Sequence, residues 1–160
     1  MINKSVFHGG VSLLIISAII LIGMFSILMQ SAFFTTIYIV LTLVSLLLIL
    51  FTFCSKCPCR RTDCKHIIFG PIASKIFSRK EGEYSFLDIL LTTIGVSLII
   101  IFPQYWLIKV PFFLVSFWLL SLSLVIEVRK NICKTCKNQF CPCFTIEKGE
   151  LEIEKSSERG

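Results

Sequence analysis

The chain is apolar almost without interruption from residue 11 to residue 53, and no Asp, Glu, Lys or Arg stands between Lys4 and Lys56. A soluble domain cannot carry such a run, because part of its surface must meet water. At about 1.5 Å per residue the run is roughly twice the length that a bilayer core of about 30 Å requires. It therefore predicts two spans, near 11–29 and 33–53, with the polar group Met29-Gln30-Ser31 as the turn between them. A basic, cysteine-rich stretch follows at 54–65, then a short segment at 66–80. Apolar positions resume for a third span at 86–102. Pro103 and Gln104-Tyr105-Trp106 mark its far end, since aromatic residues favour the membrane interface. A fourth span runs over 110–126, and from Glu127 onward the chain is polar. The expected fold is all-α and integral to the membrane, with four transmembrane helices.

Two shorter features complete the pattern. In 67–77, apolar residues recur at 68, 72 and 76 and at 69, 73 and 77, which is helical spacing, with Pro71 in a first turn. The segment is too short to span, so it predicts a helix lying in the interface. The first apolar run exceeds the apolar region of a signal peptide, and no small-x-small cleavage site follows it, so it is read as a span.

Composition adds less than position does. In 160 residues, enough for one domain, 55% are hydrophobic and 16% charged, with a net charge of +6. The stretch 54–85 carries Lys56, Arg60, Arg61, Lys65, Lys75, Arg79 and Lys80, and the tail carries Arg129, Lys130, Lys134 and Lys137. The opposite side has Lys109 alone. The positive-inside rule then predicts a multi-pass protein of the cell membrane with the middle loop and both termini cytoplasmic, and Lys4 agrees. These charges suit anionic lipid of the bilayer. No basic patch is interleaved with exposed aromatics, so nucleic acid is not an expected partner.

All eight cysteines fall into two clusters, Cys54-x2-Cys57-x-Cys59-x4-Cys64 and Cys133-x2-Cys136-x4-Cys141-x-Cys143. Each begins with CxxC, contains Cys-Pro-Cys and spans the same length. Four soft thiolates close a tetrahedron around zinc or, alternatively, hold an iron–sulfur cluster. Thiol redox chemistry, disulfides and palmitoylation are further readings, though a reducing cytoplasm disfavours stable disulfides. Lys56, Arg60, Arg61, Lys134 and Lys137 favour thiolates and offset the negative charge of either kind of centre. Pro58 and Pro142 each follow a cysteine directly, as in ferredoxin-type runs. His66 stands two residues past Cys64 and is read as interfacial rather than as a ligand.

The clusters also point to a duplication. Cys54, Cys57 and Cys64 match Cys133, Cys136 and Cys143 at one offset of 79 residues, which also aligns Phe7 with Phe86 and Phe33-Phe34 with Phe112-Phe113. The chain then divides into 1–79 and 80–160, each a helical hairpin followed by a cysteine cluster. An even number of spans per half keeps both copies in one orientation, related by an axis along the membrane normal.

Other chemistry is sparse. His8 is expected to stand alone without a role, and no histidine is expected within a span, which excludes a bis-histidine haem; no CxxCH motif is present. Asp88 and Glu127 are expected at the cytoplasmic ends of their helices, reaching water. No charge is expected at a midplane, where an ion or proton path would show it. No Ser/His/Asp set, phosphate loop or carboxylate pair appears. Two functions fit: a metal-stabilised scaffold or complex subunit that docks a protein partner on its cytoplasmic face, or an iron–sulfur protein passing electrons from a soluble donor to a membrane partner such as a quinone. A thiol-based metal carrier is a more distant third.

Overall fold

The structure, a computed structural model, describes residues 4–56, 75–76 and 84–133. Among these every regular element is helical. Helix α1 is Lys4–Leu28, and α2 is Ala32–Ile49, continued by a π turn at Leu50–Cys54. Helix α3 is Phe86–Ile101, α4 is the short Gln104–Leu107, and α5 is Pro111–Glu127, continued by a second π turn at Val128–Ile132. Four stretches, Phe7–Leu28, Ala32–Cys54, Phe86–Leu107 and Pro111–Asn131, are long and apolar enough to cross a membrane, as a multi-pass membrane protein requires. The interfacial helix expected at 67–77 lies outside the described residues except for Lys75 and Ile76.

The helix ends obey local chemistry. The expected turn forms: Gln30 and Ser31 both donate backbone N–H groups to the Ile27 carbonyl, at 2.9 Å each. At the start of α3, the Ser85 hydroxyl accepts from the Asp88 N–H, and the Asp88 carboxylate accepts from the Ser85 N–H, a reciprocal capping box. Pro111 opens α5, where a missing N–H costs nothing. Helix α1 begins earlier than the sequence pattern predicts and runs through Gly9 and Gly10. In lipid a helix satisfies every backbone polar group, which outweighs the weak helix propensity of glycine.

Pro103 ends α3 and frees a carbonyl. It has no N–H to give the Ile99 oxygen four residues back. The hydroxyl of Tyr38, fully buried on α2, donates to that oxygen at 3.2 Å. The next carbonyl, Ile100, accepts from the Gln104 side chain at 2.8 Å. Gly23 on α1 leaves room for this arrangement: a Cβ there would lie 2.9 Å from the Tyr38 hydroxyl and 3.4 Å from Cβ of Pro103. Three helices thus meet around one proline, with the Ile99 and Ile100 carbonyls paired.

The spatial order differs from the chain order. Helix α3 packs along α2, α5 packs along α1, and α1 packs on α2. Among the described residues α3 and α5 share no extended seam, so the first hairpin lies between the two legs of the second. The α2–α3 seam is polar. Thr35, Tyr38, Thr42 and Ser45 are buried on α2 and Thr52 in the π turn that continues it, at alternating spacings of three and four residues once the half-buried Ile49 is counted. Such a 3.5-residue period winds two helices around each other. On α3, Thr92 meets Thr52 at 2.8 Å between hydroxyls, and Gly95 lets the Ser45 backbone approach. Each hydroxyl has one proton, so one of the two donates across the seam while the other donates to the carbonyl of its own helix, Leu48 for Thr52 or Asp88 for Thr92. The α1–α5 seam is apolar, built on Ile19 and Phe117 with Leu107 from α4, and Phe25 meets Phe113 edge to face.

The outer surface reverses the soluble pattern. Phe86 and Phe112 are 80% and 74% exposed, while Ser12 and Ser45 are buried. Small and hydroxyl-bearing residues inside, with large apolar ones outside, is how helices pack where lipid is the solvent.

Candidate functional site at the cysteine-bearing end

The starts of α1 and α3 and the ends of α2 and α5 come together at one end of the bundle, and this end carries Cys54 and Cys133. Cys54 is the last residue of the first π turn and is half-buried; Cys133 caps the second and is buried. The two first cysteines of the predicted clusters therefore lie at the ends of the second and fourth spans. Cys57, Cys59, Cys64, Cys136, Cys141 and Cys143 lie outside the described residues, as does His66. Among the described residues no three His, Cys, Asp or Glu side chains converge as a metal centre would need.

Both π turns have a local cause in hydrogen bonding. Ser55 N–H reaches five residues back to the Leu50 carbonyl at 3.1 Å, and Cys133 N–H reaches Val128 in the same way. Such bulges occur often at functional positions. Beside the first, Tyr84 donates its hydroxyl to the Phe53 carbonyl at 3.2 Å and stacks on the Phe53 ring.

The ion pair Lys56–Asp88 and the hydrogen bond His8–Glu127 frame this end, and both revise the sequence reading. Lys56, between Cys54 and Cys57, donates to the Asp88 carboxylate at 2.5 Å. His8 Nδ1 lies 2.6 Å from Glu127 Oε1, and the Asn131 amide donates to the other oxygen of Glu127 at 2.7 Å. Glu127 as a carboxylate only accepts, so Nδ1 of His8 is the donor. Asp88 and Glu127 do not simply face water: their side chains are 16% and 20% exposed, and each is bonded across to the other hairpin. Nor does His8 stand alone, and it lies within the apolar span Phe7–Leu28 because α1 starts at Lys4.

What signal marks these residues differs. Lys56 and Asp88 sit at the ends of consecutive spans on one side, so their proximity is readable from topology. His8 and Glu127 are 119 residues apart, and only the packing of α1 on α5 joins them.

At the opposite end the two hairpin turns meet. Lys109 donates to the Gln30 side chain at 2.8 Å and lies over the Tyr105 ring. The Trp118 indole donates to Gln104, within a group of aromatic residues that includes Phe34, Phe102 and Trp106. This cluster matches the interfacial aromatic group expected around residue 105.

No family model, no curated protein and no solved structure matches the chain.

Proposed function

We propose that the chain binds metal through two four-cysteine sites, Cys54, Cys57, Cys59 and Cys64 in one and Cys133, Cys136, Cys141 and Cys143 in the other, and serves as a scaffold or subunit that docks a protein partner on its cytoplasmic face. The observation that carries this reading is the confinement of all eight cysteines to two clusters of equal length, with none inside an apolar span except Cys54, the last residue of Ala32–Cys54. Packing alone would scatter cysteines through the apolar helices. Four thiolates beginning with a CxxC knuckle are a complete donor set for tetrahedral zinc.

The position of Cys54 and Cys133 at one end of the bundle supports two sites on one face. The Lys and Arg of the stretch 54–85 and of the tail support a cytoplasmic face in the cell membrane, with both termini on that side. The duplication into 1–79 and 80–160 gains support from the span bounds. Leu28 and Leu107, and Ala32 and Pro111, each stand 79 residues apart, and a π turn ends each second helix at or just before its first cysteine.

The test is anaerobic purification followed by metal and labile-sulfide analysis, on the wild type and on Cys57→Ser. A colourless protein with zinc, half of it lost in the variant, supports the scaffold. A brown protein with iron and sulfide assigns electron transfer between a soluble donor and a membrane partner instead. A wild type without metal, whose thiols all react in reducing buffer, sinks both.

A further inference from the structure

The two hairpins close differently. In the first, the tight turn at Met29-Gln30-Ser31 lets α1 pack on α2. In the second, the short helix α4 stands between the ends of the legs, and among the described residues α3 and α5 share no extended seam. The legs are joined only near α4. There Ile100 of α3 reaches the apolar cluster of Ile19, Leu107 and Phe117, and the Trp118 indole of α5 donates to Gln104. Helical spacing carries the face of Ile100 on to Val96 and Ile89, and the face of Trp118 on to Leu122, Val125 and Arg129. All of these further residues are exposed. The legs therefore part toward the cysteine-bearing end and leave an apolar cleft backed by the first hairpin.

The α5 wall of this cleft has the length and the chemistry of one lipid leaflet. From Trp118 to Arg129 the chain rises by about 16 Å, against about 15 Å for half a bilayer core. The closed end is an aromatic ring, the middle is apolar, and the open end carries Arg129 and Lys130, both exposed. Among the described residues neither meets a carboxylate: Glu127, the nearest along the chain, is held by His8 and Asn131. A guanidinium grips a phosphate with two parallel hydrogen bonds, and an ammonium beside it adds a point charge. Two cations select a headgroup of net negative charge over a zwitterionic one. A phospholipid supplies the phosphate and the apolar chain in one molecule.

We infer that the cleft between α3 and α5 binds an anionic phospholipid of the leaflet at the cysteine-bearing end, with its phosphate on Arg129 and Lys130 and an acyl chain along Val125, Leu122 and Val96. The site does not depend on whether the cysteines bind metal.

The test uses the full-length chain with Trp106→Phe, which leaves Trp118 as its single tryptophan. The protein is placed in vesicles of phosphatidylcholine with a minor fraction of phosphatidylglycerol. One lipid and then the other carries bromine on its acyl chains, which quenches a tryptophan that it touches. Per unit of mole fraction, phosphatidylglycerol should quench Trp118 about fivefold more than phosphatidylcholine. With Arg129→Gln and Lys130→Gln together the preference should disappear, while phosphatidylcholine still quenches, as it must in a folded and inserted protein. Lys75→Gln removes another exposed cation and should leave the preference intact, which separates a site from a general excess of anionic lipid around a basic chain. The inference is overturned if the two lipids quench in proportion to their mole fractions, or if the preference survives the double variant. It is also overturned if Lys75→Gln lowers the preference equally, or if neither lipid reaches Trp118, as when a second copy of the chain fills the cleft.

Discussion

The α2–α3 seam and the α1–α5 seam join the same two hairpins by opposite chemistry. The first is lined by Thr, Ser, Tyr and Gly and ends in Lys56–Asp88; the second is lined by Ile, Leu and Phe and ends in His8–Glu127. In water the apolar seam would be the stronger one. In a bilayer, lipid tails are as apolar as leucine, and helices associate through close fit and polar contacts. The comparison teaches that the α1–α5 seam depends on shape and the α2–α3 seam on pairing. Where both are present, the ends carrying Cys54 and Cys133 are each held twice: by a helix seam and by a polar side-chain contact to the opposite hairpin.

The largest effect is expected from shape. Phe117 is fully buried between α1 and α5, and Phe117→Ala leaves a void that costs about 3 kcal/mol. Unfolding by titration of a denaturing detergent should show it, and a loss below about 1 kcal/mol would show that lipid or neighbouring side chains fill the space. Next comes Asp88→Ala, which removes both the Lys56 partner and the capping box of α3. It should cost about 2 kcal/mol, roughly half from each loss. High salt should shrink the ion-pair half and leave the cap; a loss wholly independent of salt would contradict the pairing account.

Tyr38→Phe is smaller and sharper. It keeps the stack on Phe102 and the volume under Gly23, but it strips the donor from the carbonyl that Pro103 frees. A cost of about 1 kcal/mol is expected. If Tyr38→Phe is neutral in the wild type, then that carbonyl needs no partner, and the polar description of this seam fails at its deepest residue.

Much of the architecture was legible in the chain because lipid imposes strong rules. The absence of charge from residue 5 to 55, the polar turn at 29–31 and Pro103 each correspond to a boundary within a few residues. The start of α1 was not, because the apolar run begins only at residue 11, while lipid favours continued helix through Gly9 and Gly10. Helix partners were not legible either: apolar faces of Leu, Ile and Phe look alike all round, so the sequence does not show that the first hairpin sits between the legs of the second. Spacing marks Thr35, Tyr38, Thr42 and Ser45 as one stripe, but it does not say that α3 faces it. Of the site, the eight cysteines and their grouping are plain in the sequence, while the tie from His8 to Glu127 spans nearly the whole chain and has no local mark.

The central claim is that both cysteine clusters lie on the cytoplasmic side and hold metal. Labelling of native thiols with a membrane-impermeant reagent, mapped residue by residue by mass spectrometry, tests it most directly. The account predicts no labelled cysteine in intact cells, little in opened membranes, and labelling of all eight once a strong chelator is added to the opened membranes. Labelling of either cluster in intact cells, or full labelling of opened membranes without chelator, would contradict it.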